Sequence, residues 1–400
     1  MWAAAWLLCI AACTQESPTA YDTELAQVRQ DIAALKADSP TAAIARAHAL
    51  YRRASLTGRI GDAKAADSAI EDALRQFGPL QDLFMLRARL DFALHRLPQA
   101  RANLHRARAP AASQQVEVLL ADIDLQEGLQ QAARQQYETA LTTHRSWDNL
   151  ARLANVLAMN GDFARADALY HEAENEVTAK EMRAYAWLCV QRGVLAFKRG
   201  RHDEALAHYR RAGHAYSGYW LVDEHVAELY GAQRRFEEAI TLYENVIARA
   251  PRPESFQTLG DLYLFIGQPD RARPWHDKAL AAYLESVQRG EVHYFHHLAG
   301  FYADVRDNGA EAVKWARKDL ALRRNPATLD ALAWALYRSG RFDEALAEMG
   351  KALASGVQDA HIFMHAAMIH SAAGHSEQGT RFLRQAAALN PNFEAFHAHR

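Results

Sequence analysis

Cysteine is scarce in this 400-residue chain: Cys9, Cys13 and Cys189 are all it has, too few for a disulfide-stapled framework. Proline is equally thin, at 11 residues, which removes the main obstacle to long runs of helix. No stretch after the first residues reaches the roughly 20 consecutive apolar side chains that a membrane-spanning helix needs. Neither sign of charge dominates, because 46 basic residues nearly balance 48 acidic ones and they are interspersed. A chain without a basic stripe is a poor candidate for nucleic-acid binding. Catalytic signatures are missing as well. There is no Cys-x-x-Cys, no His-Glu-x-x-His, no glycine-rich phosphate loop and no nucleophile with a neighbouring base and orienter. The chain is therefore expected to be noncatalytic and to need no cofactor.

What the chain does contain is a repeat. A glycine, an aromatic or similar residue two positions on and an alanine three further recur with a period of about 34 residues. Gly161-Asp162-Phe163 with Ala166, Gly200-Arg201-His202 with Ala205, and Gly340-Arg341-Phe342 with Ala345 are the clearest copies, and Gly374-His375-Ser376 with Gly379 is a weaker one. Between Pro326 and Asp359 the unit is legible in full. Leu329, Leu332, Ala333 and Leu336 form one face of a first helix, Gly340 ends it, and Phe342, Ala345, Met349 and Ala352 form the face of a second. A unit this short cannot bury its apolar face alone and must stack on its neighbours.

The pattern resembles the tetratricopeptide repeat. Leu329, Leu332, Ala333, Leu336, Gly340, Phe342, Ala345 and Ala352 fall on that family's positions 4 to 27, and so do Phe256, Leu259, Gly260, Tyr263, Gly267, Ala272 and Ala279. About ten units are expected, beginning near Ala47, Gln81, Gln114, Trp147, Ala186, Trp220, Pro253, Val292, Pro326 and Ala360. Extra residues before Ala186 and Val292 must lengthen a helix or a connecting turn. The first three units fit least well, with Arg53 and Arg87 standing where leucine is expected. The resemblance implies an all-α, right-handed superhelical solenoid over residues 40–400.

Residues 1–12 form a short apolar run ending in Ile10-Ala11-Ala12 before Cys13, and the chain then turns polar. This looks like a bacterial lipoprotein signal. It implies cleavage before Cys13, a lipid on its sulfur, and a protein anchored to the cell envelope rather than spanning it. Thr14, in place of aspartate, points to the periplasmic face of the outer membrane in the Gram-negative sorting pattern that this resembles. No lysine or arginine precedes the run, so a cleaved secretory signal or a start upstream of Met1 remain the alternatives. Residues 13–39 would then be a tether and a capping helix from about Tyr21 to Ala37. Cys189, the one thiol left over, falls at position 4 of its unit and is expected to pack between helices.

In the family that the repeats resemble, the first helix of every unit lines the concave groove through positions 2, 5, 9, 12 and 13. Those positions carry Trp187, Phe197, Glu224, Glu228, Gln257 and Asp261 in the middle units. Toward the C-terminus they carry His293, His296, Asp330, Trp334, Tyr337, His361, Met364 and Met368. Such a groove suits a protein or peptide partner with apolar anchors and basic residues. The lysine, asparagine and arginine set of the chaperone-binding carboxylate clamp is absent: Asn155 is in place, but Ala151, Val190, Leu221 and Glu224 are not the required bases. His293 and His297, and likewise His361 and His365, lie four residues apart on a helix face, a spacing that can bind zinc, copper or nickel. A metal-handling accessory is accordingly the alternative function. Tyr216-Ser217-Gly218-Tyr219-Trp220 is either inter-repeat packing or an exposed aromatic binding spot.

Overall fold

The computed structural model describes residues 17–107 and 113–398. Among the described residues there are helices and turns but no strand. Helix α1 (Ala20–Ala34) precedes ten antiparallel pairs. These are α2 (Pro40–Thr57) with α3 (Ile60–Phe77), α4 (Gln81–Ala93) with α5 (Leu97–Arg106), α6 (Ser113–Gln126) with α7 (Gln130–Thr143), and α8 (Trp147–Met159) with α9 (Phe163–Glu176). Next come α10 (Met182–Phe197) with α11 (His202–Ala215), α12 (Trp220–Ala232) with α13 (Phe236–Arg249), and α14 (Pro253–Phe265) with α15 (Pro269–Gln288). The last three are α16 (Phe295–Gly300) with α17 (Gly309–Leu322), α18 (Pro326–Arg338) with α19 (Phe342–Ala354), and α20 (Ala360–Ala372) with α21 (Ser376–Leu389).

Small residues let the paired helices cross closely. Ala88, Ala121, Ala154, Ala227, Ala333 and Ala367 on first helices, and Ala100, Ala133, Ala166, Ala205, Ala239 and Ala345 on second helices, are all at most 2% exposed. Where the crossing residue is Gly193, a Cβ would come within 2.2 Å of the Tyr209 ring, so the ring occupies the space a larger residue would need. Cys189 is buried in the same layer, and burial pushes its thiol up to about 12. A packed, protonated sulfur is the result.

Within each pair the turn is left-handed at one residue. Glycine holds it in most units, but His95 (φ 60°) and Arg234 (φ 63°) hold the same position without one. Three units depart from the predicted register, the fifth by beginning at Met182 rather than near Ala186. The first helix begins at Pro40 rather than near Ala47, runs for 18 residues, and turns at Gly58. Arg53 stands on it, paired with Asp62 at 2.9 Å instead of packing as leucine would. Ahead of the eighth unit α15, the second helix of the seventh, is extended to 20 residues, and in the eighth α16 continues into a π turn over Phe301–Val305 before the left-handed residue at Asp307. A π turn absorbs an inserted residue without breaking the helix, and such turns favour functional positions.

The superhelix closes tightly on itself. The turn inside the first unit lies against the connection into the seventh, where the Trp220 and Arg252 side chains cover Gly58, and Lys64 on α3 pairs with Glu291 in the connection into the eighth. In the same way His95 of the second unit stacks on His293, 4.8 Å away, at the start of the eighth. The Arg324 amide donates to Gln126 O at 3.0 Å, joining the third unit to the ninth, and the Gln358 amide donates to Met159 O at 2.8 Å, joining the fourth to the tenth. Six units therefore make one full turn, and successive turns are in contact. Helix α1 seals the beginning of this seam. Its Tyr21 amide donates to Ser217 O at 3.1 Å, and Tyr21, Leu25 and Val28 share one apolar cluster with Tyr216, Tyr219 and Trp220. The aromatic Tyr216–Trp220 segment is thus packing, with its three rings 5–7% exposed.

Candidate functional site: the lumen of the superhelix

Because the turns touch, the concave side is a lumen. A cavity of about 500 Å³ lies in it between the first helices of the last four units. Helix α14 contributes Glu254, Gln257, Asp261, Leu264 and Phe265, all at groove-facing positions of the repeat. The α16 helix and its π turn add His296, His297, Ala303 and Asp304, and α18 adds Asp330 and Trp334. Helix α20 adds His361, Ile362 and His365. Lys198 from α10, Asp359 from the connection before α20, and His397 with Ala398 complete the wall.

Each carboxylate here is held from one side. Asp261 accepts from His276 at 2.8 Å, Asp330 faces His365 Nδ1 at 3.0 Å, and Asp304 accepts from the Trp334 indole at 2.9 Å. The Trp334 ring is sandwiched between His365 at 4.0 Å and Tyr337 at 4.9 Å. Burial raises the Glu254 carboxyl above its usual range, against the opposing pull of Arg252. Asp359 is the reverse case: burial would raise it, but the Lys198 ammonium, 3.1 Å away, holds it well below the ordinary carboxylate range. The same carboxylate caps α20 by accepting from the His361 and Ile362 amides. Half of the Lys198 side chain stays accessible although protein surrounds it, so it faces the lumen's water. Five carboxylates, five imidazoles, one lysine and a few large apolar faces can bind a cationic, partly aromatic segment by charge and stacking.

The residues singled out from the sequence divide between three places. Gln257, Asp261, His296, His297, Asp330, Trp334, His361 and His365 line the cavity. Phe197 and Glu228 stand at its edge, where they meet the chain's C-terminal segment. The remainder lie elsewhere. Trp187 packs edge-on against Trp147 at 6.4 Å, and buried Glu224 is a strut pairing with Arg252 at 2.6 Å. Tyr337 supports Trp334 from behind, Met364 is half-buried outside the cavity wall, and Met368 is exposed.

His293 does not join its sequence neighbour His297. It stacks on His95 in the seam, where burial first and the nearby Arg323 charge second lower its imidazole to about 4. The four histidines weighed as metal ligands are thereby split between seam and lumen. Among the described residues no group of three or more His, Cys, Asp or Glu side chains is placed to hold a metal ion.

Sequence reasoning passed over Glu254, Leu264, Phe265, Asp304 and Lys198, although all five stand at the groove positions of their units. Asp359 and His397 lie outside those positions, and no periodic signal marks them.

An α-solenoid of paired helices with a ligand-sized lumen is the class that the fold defines. Residues 327–357 and 224–257 match family models described as tetratricopeptide repeat. The chain thus carries tetratricopeptide repeats, and such repeats suggest a protein-interaction scaffold. A curated relative, tetratricopeptide repeat protein 21B of Mus musculus, is 26% identical over 152 residues, which is 37% of this chain and 11% of that protein. This chain thus matches only a small part of that relative's length. Among solved structures, a tetratricopeptide repeat protein from Parabacteroides merdae ATCC 43184 is 19% identical, with a TM-score of 0.37, covering 62% of this chain and 94% of that one. The segment before residue 17, with the lipidation signal and Cys13, lies outside the described residues. Among the described residues no helix is long and apolar enough to cross a membrane.

Proposed function

We propose that this protein is a noncatalytic scaffold that binds a segment of a protein partner in the lumen of its superhelix, and that lipid on Cys13 holds it at the bacterial cell envelope. The observation that carries the binding reading is the cavity of about 500 Å³ in the lumen, with charged and aromatic side chains from four successive units converging on it. A recess of that kind offers a guest both hydrogen-bonding groups and apolar faces from several units at once. Net acidity makes lysine- or arginine-bearing segments the favoured guests. The anchoring reading rests on the apolar run before Cys13 and the polar tether after it. It places the lumen near the membrane surface, where partners in the envelope are at high effective concentration.

The test is capture from detergent-solubilised envelopes, followed by binding of the identified partner in purified form. Intact protein is compared with a triple lumen variant, Asp261→Asn, Gln257→Ala and His361→Ala, which removes part of the lumen's negative charge, and with an outer-surface control, Arg273→Ala. A partner bound by the intact protein and the control but at least tenfold more weakly by the lumen variant is the expected result. Equal binding by all three would move the interaction off the lumen. For the anchor, labelling with a fatty-acid analogue should appear on the intact chain and vanish in Cys13→Ser; label on neither removes the lipid.

A further inference from the structure

After α21 the chain does not leave the solenoid but turns inward. Asn392 donates to Gly200 O at 3.3 Å, and the next residues enter the lumen beside α12. Phe396 is 1% exposed and sits in an apolar seat with Tyr243, Leu262 and Tyr263, its ring 5.6 Å from that of Phe265. The seat depends on Gly231, where a Cβ would lie 2.6 Å from the Phe396 ring. His397 Nδ1 meets Glu228 Oε1 at 2.5 Å, and the Ala398 amide donates to the same oxygen at 2.8 Å. Glu228 itself is only 2% exposed, so a buried carboxylate is satisfied in part by a segment some 170 residues away in sequence. Glu228 and Phe265 stand at groove-facing positions of their units, which are the positions that read a bound segment.

We propose that this seat recognises an aromatic residue followed by a basic one, and that residues 396–398 occupy it as an internal competitor which a partner segment of the same chemistry displaces. The proposal rests on the scaffold reading above and names the chemistry of the partner. Three features make the occupant a ligand rather than a fixed wall. Among the described residues it follows α21 and belongs to no helix pair. It presents one apolar anchor and two hydrogen bonds, the pattern of a docked peptide rather than of a repeat. It forms one side of the cavity, so its departure would open the seat and the cavity into a single site. A short tether gives an effective concentration near the millimolar range. For a peptide of about 10 μM intrinsic affinity, that competition weakens apparent binding by about 100-fold.

The experiment uses the full chain and a labelled synthetic peptide with the sequence of residues 390–398, followed by fluorescence anisotropy. The chain carrying Phe396→Ala and His397→Ala should bind the peptide, and the intact chain should bind it at least tenfold more weakly. Adding Glu228→Gln or Gly231→Ala to the released chain should abolish binding while circular dichroism shows the helices unchanged. Failure of the folded, released chain to bind, or equal binding by intact and released chains, overturns the proposal. The two readings separate cleanly. A partner lost from the lumen variant while the peptide fails to bind sinks the internal competitor alone. Peptide binding without any lumen-dependent partner keeps the seat and sinks the scaffold.

Discussion

The seam between successive superhelical turns and the lumen that they enclose are built from the same repeat and solve opposite problems. At the seam the chain is closely packed. Trp220 reaches across to Leu56 O at 2.7 Å under the Arg252 guanidinium, and a backbone carbonyl passes where a Cβ on Gly128 would be. In the lumen, carboxylates and imidazoles face each other across space that nothing in the helical pairs fills. The contrast teaches that stiffness and recognition occupy different faces of one helix pair. The turn residues fix the winding, and the first-helix residues facing inward are left for a ligand.

The largest expected effect comes from breaking the seam at its aromatic end. Trp220→Ala removes a nearly buried ring and leaves Leu56 O without its donor, so it should cost about 3–5 kcal/mol. Because repeat arrays lose structure locally, the check is hydrogen exchange, with protection lost first in α1, α2 and α12. Unchanged protection there would mean that the two turns do not hold each other.

A smaller effect isolates the winding from the repeat. Gly128 and Gly340 both have positive φ, at 86° and 73°, so alanine at either is strained by roughly 1–2 kcal/mol. Only at Gly128 does the next superhelical turn pass overhead, with Arg324 O 2.4 Å from where a Cβ would stand, whereas nothing lies within 4 Å at Gly340. Gly128→Ala should therefore destabilise more than Gly340→Ala, by about 1–3 kcal/mol of overpacking. Equal melting shifts would show that the contact between turns relaxes freely.

How much of this was legible in the sequence follows from the same division. Periodicity marks whatever recurs every unit, so the helix starts at Gln81, Trp147, Trp220, Pro253, Pro326 and Ala360 coincide with the predicted ones. It also marks the groove-facing register that placed Gln257, Asp261, Asp330 and Trp334 on the cavity. Contacts one superhelical turn apart follow from the winding, which a single repeat does not reveal. His293 illustrates the limit: its register predicted the groove, and the eighth unit's altered start carried it to the seam. Residues 396–398 were invisible for a different reason, since they follow the last repeat and carry no period.

Acid should loosen the seam. His95 and His293 are stacked and buried, and burial first, with the Arg323 charge second, lowers them to about 2 and about 4. A histidine whose folded value lies below its ordinary one of about 6.5 is neutral in the native state, so its contribution is complete above that value and is lost as pH falls toward the folded value. Melting temperature should fall between about pH 6.5 and 4, and less steeply in the His95→Phe, His293→Phe double variant. Identical slopes for both proteins would assign the acid sensitivity elsewhere.

The smallest expected change in stability is in the lumen and should have the clearest consequence for binding. Lys198 joins Asp359 across the superhelix, but half of its surface is accessible and Asp359 keeps its bonds to the His361 and Ile362 amides without it. Lys198→Met should shift stability by less than about 1 kcal/mol, as for other solvated pairs. It also removes the single lysine facing five carboxylates, so attraction for cationic segments should rise and become more salt-dependent. In the chain with residues 396 and 397 changed to alanine, the peptide of residues 390–398 carrying an added arginine should then bind more tightly than it does when Lys198 is present, most of all at low salt. Unaltered affinity across salt concentrations would place the peptide outside the field of the lumen and reduce the lumen's charge to an internal matter of folding.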